Sequence, residues 1–248
     1  MFFFHLRHSV LYISLILTKY FEKVGSKNKL KRFKENETFN NGFQPTREEV
    51  VGDLFPLKGK WNSDFFKNEN PLVLELGCGK GEYSVGLAER YPNKNFIGTD
   101  IKGARFWRGA KTAVDTGLHN VAFIRTQIEL INHIFSENEV DEIWITFPDP
   151  QIKYKRTKHR MTNSEFLQLY KKILKKDGVV NLKTDSEFLH GYTLGLLHGE
   201  GHEDLYANHN VYVNEGSPEE VTAFQTFYEK QYLEVNKAIT YIRFKIKE

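Results

Sequence analysis

A glycine-rich turn between a short apolar run and a helix-like pattern constrains the fold of this chain more than any other feature. The run Leu72–Leu76 is mostly apolar, which is typical of a strand buried in a parallel sheet. The sequence GCGKG follows at Gly77–Gly81, and apolar residues then recur with helical spacing from Val85 to Tyr91. A strand, a glycine turn and a helix in this order indicate the nucleotide-binding unit of an α/β domain.

The alternation of strand and helix patterns continues to the end of the chain. The patterns predict strands at 96–99, 121–125, 143–147, 178–182, near Val211 and at 239–244, and helices at 106–114, 128–135, 166–174, 188–197 and 221–233. Such alternation predicts an α/β fold, with helices on both faces of a mainly parallel sheet.

The chemistry of the turn favours a sulfonium nucleotide over a dinucleotide. Its G-x-G-x-G spacing departs from the G-x-G-x-x-G of nicotinamide dehydrogenases. Glu75 precedes the turn and would repel a pyrophosphate, whereas it would attract the cationic groups of S-adenosylmethionine. Asp100 ends the second strand, where a ribose-binding carboxylate belongs. A helix N-cap at Asp100 and a purely structural glycine loop are the alternatives.

Two more carboxylates follow predicted strands. Asp149 lies between Pro148 and Pro150, directly after the fourth strand of the domain, and Asp185 ends the fifth. Ligands of open α/β sheets bind outside the carboxyl ends of the strands. Both residues are therefore expected to lie near Glu75 and Asp100, with Asp149 facing a methyl donor and an acceptor base. A turn-forming role for Asp149 is the alternative.

The distribution of charge along the chain indicates binding partners better than the net charge of +3 does. A basic run follows Pro150 at once, and we interpret it as a phosphate-gripping loop beside the site, with a solvated face as the alternative. Its members are Lys153, Lys155, Arg156, Lys158, His159 and Arg160. A second basic stretch, at 27–41, is either a solvated, flexible arm or an arm that touches a polyanion.

The remaining features concern the location of the protein and the division of the chain. Cys78 is the single cysteine, so we expect a reducing compartment and a cytoplasmic protein. The apolar stretch 10–17 is shorter than the roughly 20 residues that span a bilayer, so no stable membrane association is expected, although targeting is an alternative. We predict an unpacked leader at 1–23, a basic arm and lead-in at 24–66, and one domain at 67–248. No metal-ligand cluster stands out.

Six segments together carry a family resemblance. They are VLELGCGKGE at Val73–Glu82, FIGTD at Phe96–Asp100, FPDP at Phe147–Pro150, the basic loop, LKTD at Leu182–Asp185 and TFYEKQY at Thr226–Tyr232. With these motifs the chain resembles the bacterial tRNA (guanine-N7)-methyltransferases. The resemblance implies a Rossmann-like class I methyltransferase fold with a seven-stranded sheet. It also implies methyl transfer from S-adenosylmethionine to N7 of a guanosine in tRNA, at position 46 of the variable loop.

The resemblance also implies roles for individual residues. Cofactor contacts are expected from Glu75, Gly77, Gly79, Gly81, Asp100, Gln127 and Asp149, and tRNA contacts from Lys153, Asp185, Thr226 and Glu229. The chain departs from the family pattern twice. Gln151 stands where a Trp is usual, and Gln127 stands where an acidic residue usually holds the adenine, although an amide can also hydrogen-bond to adenine.

Guanine N7 carries a lone pair and no proton, so it can attack a sulfonium methyl group without a general base. We expect Asp149 and Asp185 to act as the catalytic carboxylates, which stabilise the developing positive charge and accept hydrogen bonds from the base. A methyltransferase with another substrate, a non-catalytic RNA-binding protein and a dehydrogenase remain as alternative functions. The sequence leaves the oligomeric state open between a monomer and a homodimer.

Overall fold

A computed structural model describes residues 28–247 and contains an α/β domain. Its strands are β1 (Gly42–Phe43), β2 (Leu72–Leu76), β3 (Asn95–Asp100), β4 (Val121–Arg125), β5 (Val140–Thr146), β6 (Leu174–Thr184), β7 (Glu203–Asn208) and β8 (Thr240–Lys245). Its helices are α1 (28–36), α2 (Arg47–Val51), α3 (Glu82–Arg90), α4 (Gly103–Thr116), α5 (Ser164–Ile173), α6 (Glu187–Gly199), α7 (Glu219–Thr222) and α8 (Phe227–Glu234). Trp61–Phe66 form a π-helix, and Ile128–His133 and Tyr154–His159 form 3-10 helices.

One sheet joins the strands in the order β1-β4-β3-β2-β5-β6-β8-β7. The strands from β1 to β6 are parallel, whereas β8 is antiparallel to both β6 and β7. The predicted α/β fold and mainly parallel sheet are confirmed. The strand number of seven is wrong, because the two-residue β1 pairs with β4 and makes eight. The strand order reverses at β2, between β3 and β5, and this switch point places a crevice at the carboxyl ends of those strands.

Each face of the sheet carries its own hydrophobic core. Alternate residues of β2 point to opposite faces, as the strand period requires, so that Leu74 packs in one core and Val73 in the other. The first core includes Leu167 of α5, and the second includes Tyr83 of α3 and Phe106 of α4. Helices therefore cover both faces, as predicted.

The segment before β2 packs against the first core. Trp61 is fully buried, stacks on Phe135 with ring centroids 5.9 Å apart and donates from Nε1 to the Ile134 carbonyl oxygen. Asn36, at the end of α1, is buried and donates to the Gly103 carbonyl oxygen at 2.9 Å. The domain boundaries remain predictions, and the leader predicted at 1–23 lies outside the described residues.

Two elements near the end of the chain differ from their predictions. β7 lies at Glu203–Asn208 rather than near Val211, because its residues are largely exposed and show no clear alternation of apolar and polar side chains. The helix predicted at 221–233 is divided into α7 and α8, because Thr226 caps a new helix. Within residues 28–247, no helix is long and apolar enough to cross a membrane.

Candidate functional site

The three glycines of the turn all adopt the left-handed backbone that glycine tolerates best. Their φ angles are +74° at Gly77, +56° at Gly79 and +71° at Gly81. A Cβ atom on Gly81 would lie 2.4 Å from the ring of Phe123, so this glycine lets α3 pack against the sheet. A Cβ atom on Gly79 would meet no protein atom within 4 Å. The turn is therefore packed against the protein at Gly81 and open at Gly79.

Asp100 supports the turn from the end of β3. Its Oδ2 accepts a hydrogen bond from the Gly79 amide at 3.1 Å, and its Oδ1 accepts one from the Lys102 amide at 2.7 Å. The N-cap of α4 is Lys102 rather than Asp100, so the alternative reading of Asp100 as a helix cap is wrong. The carboxylate thus joins the glycine turn to the start of α4.

Glu75 lies buried beneath the turn. Its Oε1 accepts from the Thr146 hydroxyl at 2.6 Å, and its Oε2 accepts from the Ser84 amide at 3.0 Å and from the Ser84 hydroxyl. Burial raises the pKa of Glu75 to about 7, while the Ser84 and Thr146 hydrogen bonds oppose this shift and the charge of Asp100 adds to it. A carboxyl group that titrates near neutral pH therefore lies at the switch point of the sheet.

A cleft of about 390 Å³ lies at the carboxyl edge of the strands. It brings together Gly77, Asp100, Gln127 and Asp149, each from a different strand end, as the topology predicts. The Gln127 side-chain oxygen accepts from Arg47 at 2.8 Å, so α2 reaches this end of the cleft. The cleft has the position and the lining of a nucleotide site.

The backbone around Asp149 is strained on both sides. Phe147 and Gln151 each have a φ of +48°, which is unfavourable for residues with a side chain and costs on the order of 1–2 kcal/mol each. The Phe147 amide donates to the Lys183 carbonyl oxygen at 2.8 Å, which ties this bend to β6. Asp149 is exposed on the bend. The flanking prolines indicated a restricted loop, but nothing in the sequence indicated the positive φ angles.

The basic loop contains one residue that behaves unlike its neighbours. Lys153 and Tyr154 are exposed, and the loop continues as a 3-10 helix. Arg160 is buried instead, where it donates to the carbonyl oxygens of Gln151 and Ile152, both at 3.2 Å. Its guanidinium group also lies over the aromatic ring of Tyr192, 4.3 Å from the centroid. Arg160 therefore fixes the base of the loop, and the exposed cations project from it.

Asp185 lies at the end of β6 and forms an ion pair with Lys237. The Tyr232 ring packs 6.0 Å from the Phe147 ring. Burial raises the pKa of Tyr232, and the charges of Asp185 and Asp149 contribute to the same shift. Tyr232 thus packs on a residue that lines the cleft, whereas neither Tyr232 nor Asp185 lines the cleft itself.

Thr226 and Glu229 form the capping box of α8, in which each side chain accepts from the backbone amide of the other. Glu229 is fully buried, accepts from the Tyr212 hydroxyl at 2.7 Å and pairs with the Lys183 ammonium at 2.5 Å. Burial lowers the pKa of Lys183, and the charge of Glu229 opposes this shift. The role of Thr226 and Glu229 in substrate binding stays a prediction. The T-x-x-E spacing alone could have indicated the cap, but not the buried ion pair.

Comparison with known protein families finds a match over most of the chain. The model of a family described as "Putative methyltransferase" matches residues 69–242. A tRNA (guanine-N(7)-)-methyltransferase from Christiangramia forsetii is 73% identical over 224 residues, which are 90% of this chain and 100% of that protein. A protein of the same name from Porphyromonas gingivalis is 52% identical over 200 residues, covering 78% of this chain and 79% of its own length.

Solved structures share the fold at low sequence identity. The crystal structure of the 16S rRNA methyltransferase KamB superposes with a TM-score of 0.58 at 13% identity, over 75% of this chain and 92% of that chain. A 30S ribosomal A1408 methyltransferase from an uncultured bacterium gives a TM-score of 0.53 at 14% identity, over 77% of this chain and 98% of that one. These likenesses show that this chain shares the fold of those structures.

Proposed function

We propose that this chain, which belongs to the tRNA (guanine-N(7)-)-methyltransferase family, transfers a methyl group from S-adenosylmethionine to N7 of a guanosine in tRNA. We further propose position 46 of the variable loop as the target and the cytoplasm as the place of action. Apart from membership of the family, the main support for this function is the cleft at the switch point. Asp100 and Asp149 line the cleft, and the exposed cations of the basic loop lie beside it.

The residues of the cleft and of the adjoining glycine turn fit the methyl donor. The open space over Gly79 allows a ligand to approach the backbone, and Asp100 lies where hydroxyl groups of a ribose would be bound. Glu75 would favour the cationic amino acid end of the donor from beneath the turn. Gln127 would hydrogen-bond to the adenine through its amide group. In this assignment the donor supplies an electrophilic methyl group, and the protein binds and orients it.

The chemistry requires alignment and charge stabilisation rather than proton removal. The lone pair of guanine N7 forms the new bond to carbon while the bond from carbon to sulfur breaks, so positive charge moves from sulfur to the base. Asp149 and Asp185 would stabilise the cationic product and accept hydrogen bonds from guanine N1–H and N2–H. Lys153 would contact a phosphate of the tRNA, and Thr226 and Glu229 would complete the substrate site by supporting α8.

The function is tested by chemical cleavage at 7-methylguanosine. Unmodified tRNA is incubated with the protein and S-adenosylmethionine, and the cleaved strand is mapped to one nucleotide. We expect a single cleavage at guanosine 46 and none in a transcript that carries adenosine there. Cleavage elsewhere would correct the target position. Donor binding without methylation of any tRNA would contradict the proposed reaction, and mass spectrometry of digested RNA would identify another methylated base.

The catalytic carboxylates are tested by Asp149→Asn and Asp185→Asn. Loss of a preorganised electrostatic contact commonly lowers turnover about 100-fold, and we expect this with saturating tRNA and donor. Asp115→Asn is the matched control, because Asp115 pairs with Lys111 on the exposed side of α4. Full turnover in both site variants would exclude the assignment.

A further inference from the structure

Two exposed aromatic rings and a lysine border the glycine turn. Phe227 and Tyr228 open helix α8 and are 48% and 56% exposed, with ring centroids 5.6 Å apart and ring planes at 75°. The Lys80 ammonium lies 4.4 Å from the Phe227 centroid and 5.7 Å from that of Tyr228. Lys80 is exposed, and no ion pair between it and a carboxylate is found within residues 28–247. Two partly exposed rings and a cation thus lie together at the surface.

The surface continues directly into the proposed active site. Tyr228 and Tyr232 are four residues apart on α8, so they lie on the same side of the helix, one turn or about 6 Å from each other along the axis. Tyr232 packs on Phe147, which lines the cleft together with Asp149. If the reacting base of an RNA strand lies beside Asp149, a neighbouring nucleotide of that strand would therefore lie over the exposed rings.

The helix that carries the rings is held rigidly from beneath. The Thr226–Glu229 capping box fixes its first turn, and the buried Lys183–Glu229 pair fastens that turn to β6. The Phe227 amide also donates to the Glu82 carboxylate of α3 at 3.1 Å. Because the backbone of this helix is already fixed, a ligand that stacks on the rings has to order only their side chains.

We propose that Lys80, Phe227 and Tyr228 form a stacking platform for one unpaired nucleotide next to the methylated guanosine. The Tyr228 ring stacks on the base, and the Lys80 ammonium contacts the adjoining phosphate. An RNA nucleotide fits this surface because it offers a flat π-face and a negative charge a few ångströms apart, and single-stranded RNA is commonly bound by this combination. The platform rests on the proposed function, since it takes the substrate tRNA as its ligand.

The test compares Tyr228→Leu, Tyr228→Ala and Tyr228→Trp in the full chain. Binding of an unmodified tRNA transcript is measured with S-adenosylhomocysteine present, over a series of salt concentrations. We expect about tenfold weaker binding for the Leu and Ala variants and near wild-type binding for Trp, which keeps an aromatic face. The slope of log Kd against log salt should stay unchanged, because loss of an uncharged ring releases no fewer counterions. Val235→Ala, an exposed apolar truncation at the far end of α8, is the control.

A tRNA lacking the base on one side of the target guanosine identifies the partner of the ring. If the platform binds that base, the abasic tRNA binds wild type about tenfold more weakly, and Tyr228→Ala adds little further loss. The platform would be overturned if Tyr228→Leu bound tRNA with wild-type affinity. It would also be overturned if the affinity lost in Tyr228→Ala and the affinity lost with the abasic tRNA were additive, whichever side of the target guanosine lacked its base. The proposed function would stand in either case if wild type still methylates tRNA. A wild-type protein that neither binds nor methylates tRNA overturns both.

Discussion

The Lys183 ammonium lies 2.5 Å from a Glu229 carboxylate oxygen, and both side chains are fully buried. Lys183 also donates to the Val221 carbonyl oxygen at 2.5 Å, so one cation joins β6, α7 and α8. Both charged groups have lost their hydration, and each compensates the charge of the other. Removing one of them would leave a buried charge without a partner, which strongly destabilises the folded protein. This contact therefore holds α8, the helix that carries Tyr228 and Tyr232, against the sheet.

Glu229→Ala should destabilise the protein by about 3–5 kcal/mol, since it leaves the Lys183 ammonium buried without a partner charge. Thermal unfolding should show a decrease in Tm on the order of 10 °C. Glu234→Ala, on the exposed side of the same helix, should change the stability by less than about 0.5 kcal/mol. The double variant Lys183→Met with Glu229→Leu should recover part of the loss. A Glu229→Ala protein as stable as wild type would show that the pair contributes nothing.

Gly79→Ala and Gly81→Ala should separate ligand binding from folding. The new methyl group at position 81 would overlap the Phe123 ring, so the cost should reach about 2–5 kcal/mol from overpacking and backbone strain together. At position 79 only the strain of about 1–2 kcal/mol applies, but the methyl group would project into the space proposed for the cofactor. Calorimetry should show weakened binding of S-adenosylmethionine to a folded Gly79→Ala protein. Unchanged affinity would place the ligand elsewhere.

Binding of S-adenosylmethionine should depend on pH through Glu75. Burial raises the pKa of this carboxyl group to about 7, so below pH 7 it is mostly protonated and neutral. A cationic ligand favours the ionised form, so binding must release a proton there. Affinity should rise about tenfold per pH unit from pH 5.5 towards 7 and then level off. Calorimetry in two buffers checks the proton release, and Glu75→Gln should bind weakly at every pH. A flat profile in wild type would contradict the coupling.

Lys153→Ala and Arg160→Ala should affect the basic loop in different ways. Lys153 is exposed, so its loss should leave the Tm unchanged and lower the slope of log Kd for tRNA against log salt by about 1. Arg160 is buried against Gln151, Ile152 and Tyr192, so its removal should cost about 1–3 kcal/mol of stability. Equal effects of the two substitutions on Tm would show that the loop is not anchored at Arg160.

The sequence predicts the central strands well because their signal is local. The predicted strands at Leu72–Leu76 and Val121–Arg125 agree with the structure to the residue, since each is a short apolar run that polar or glycine residues follow. β1 was not predicted, because two residues carry no pattern and their pairing with β4 depends on contacts between distant parts of the chain. Gly42 of β1 and its partner Phe123 illustrate this separation.

The candidate site also has some features that the sequence predicts and others that only the structure shows. Gly77, Asp100, Gln127 and Asp149 could be placed together from the sequence, because parallel strands bring their carboxyl ends to one edge of a sheet. The burial of Arg160 and the burial of Glu229 could not be anticipated, since both look like ordinary surface charges in the sequence. Burial depends on which distant side chains close over a residue.

By itself the sequence determined the class of fold, the glycine turn, the order of the acidic strand ends and, through its motifs, the family. Those properties follow from short-range periodicity and from steric rules that act within a few residues. Only the tertiary structure decided that Glu229 anchors α8 through Lys183 and that Tyr228 remains exposed beside the site. The free energy of a charge or a ring depends on its desolvation, which is set by the packing of the whole chain and by no single segment.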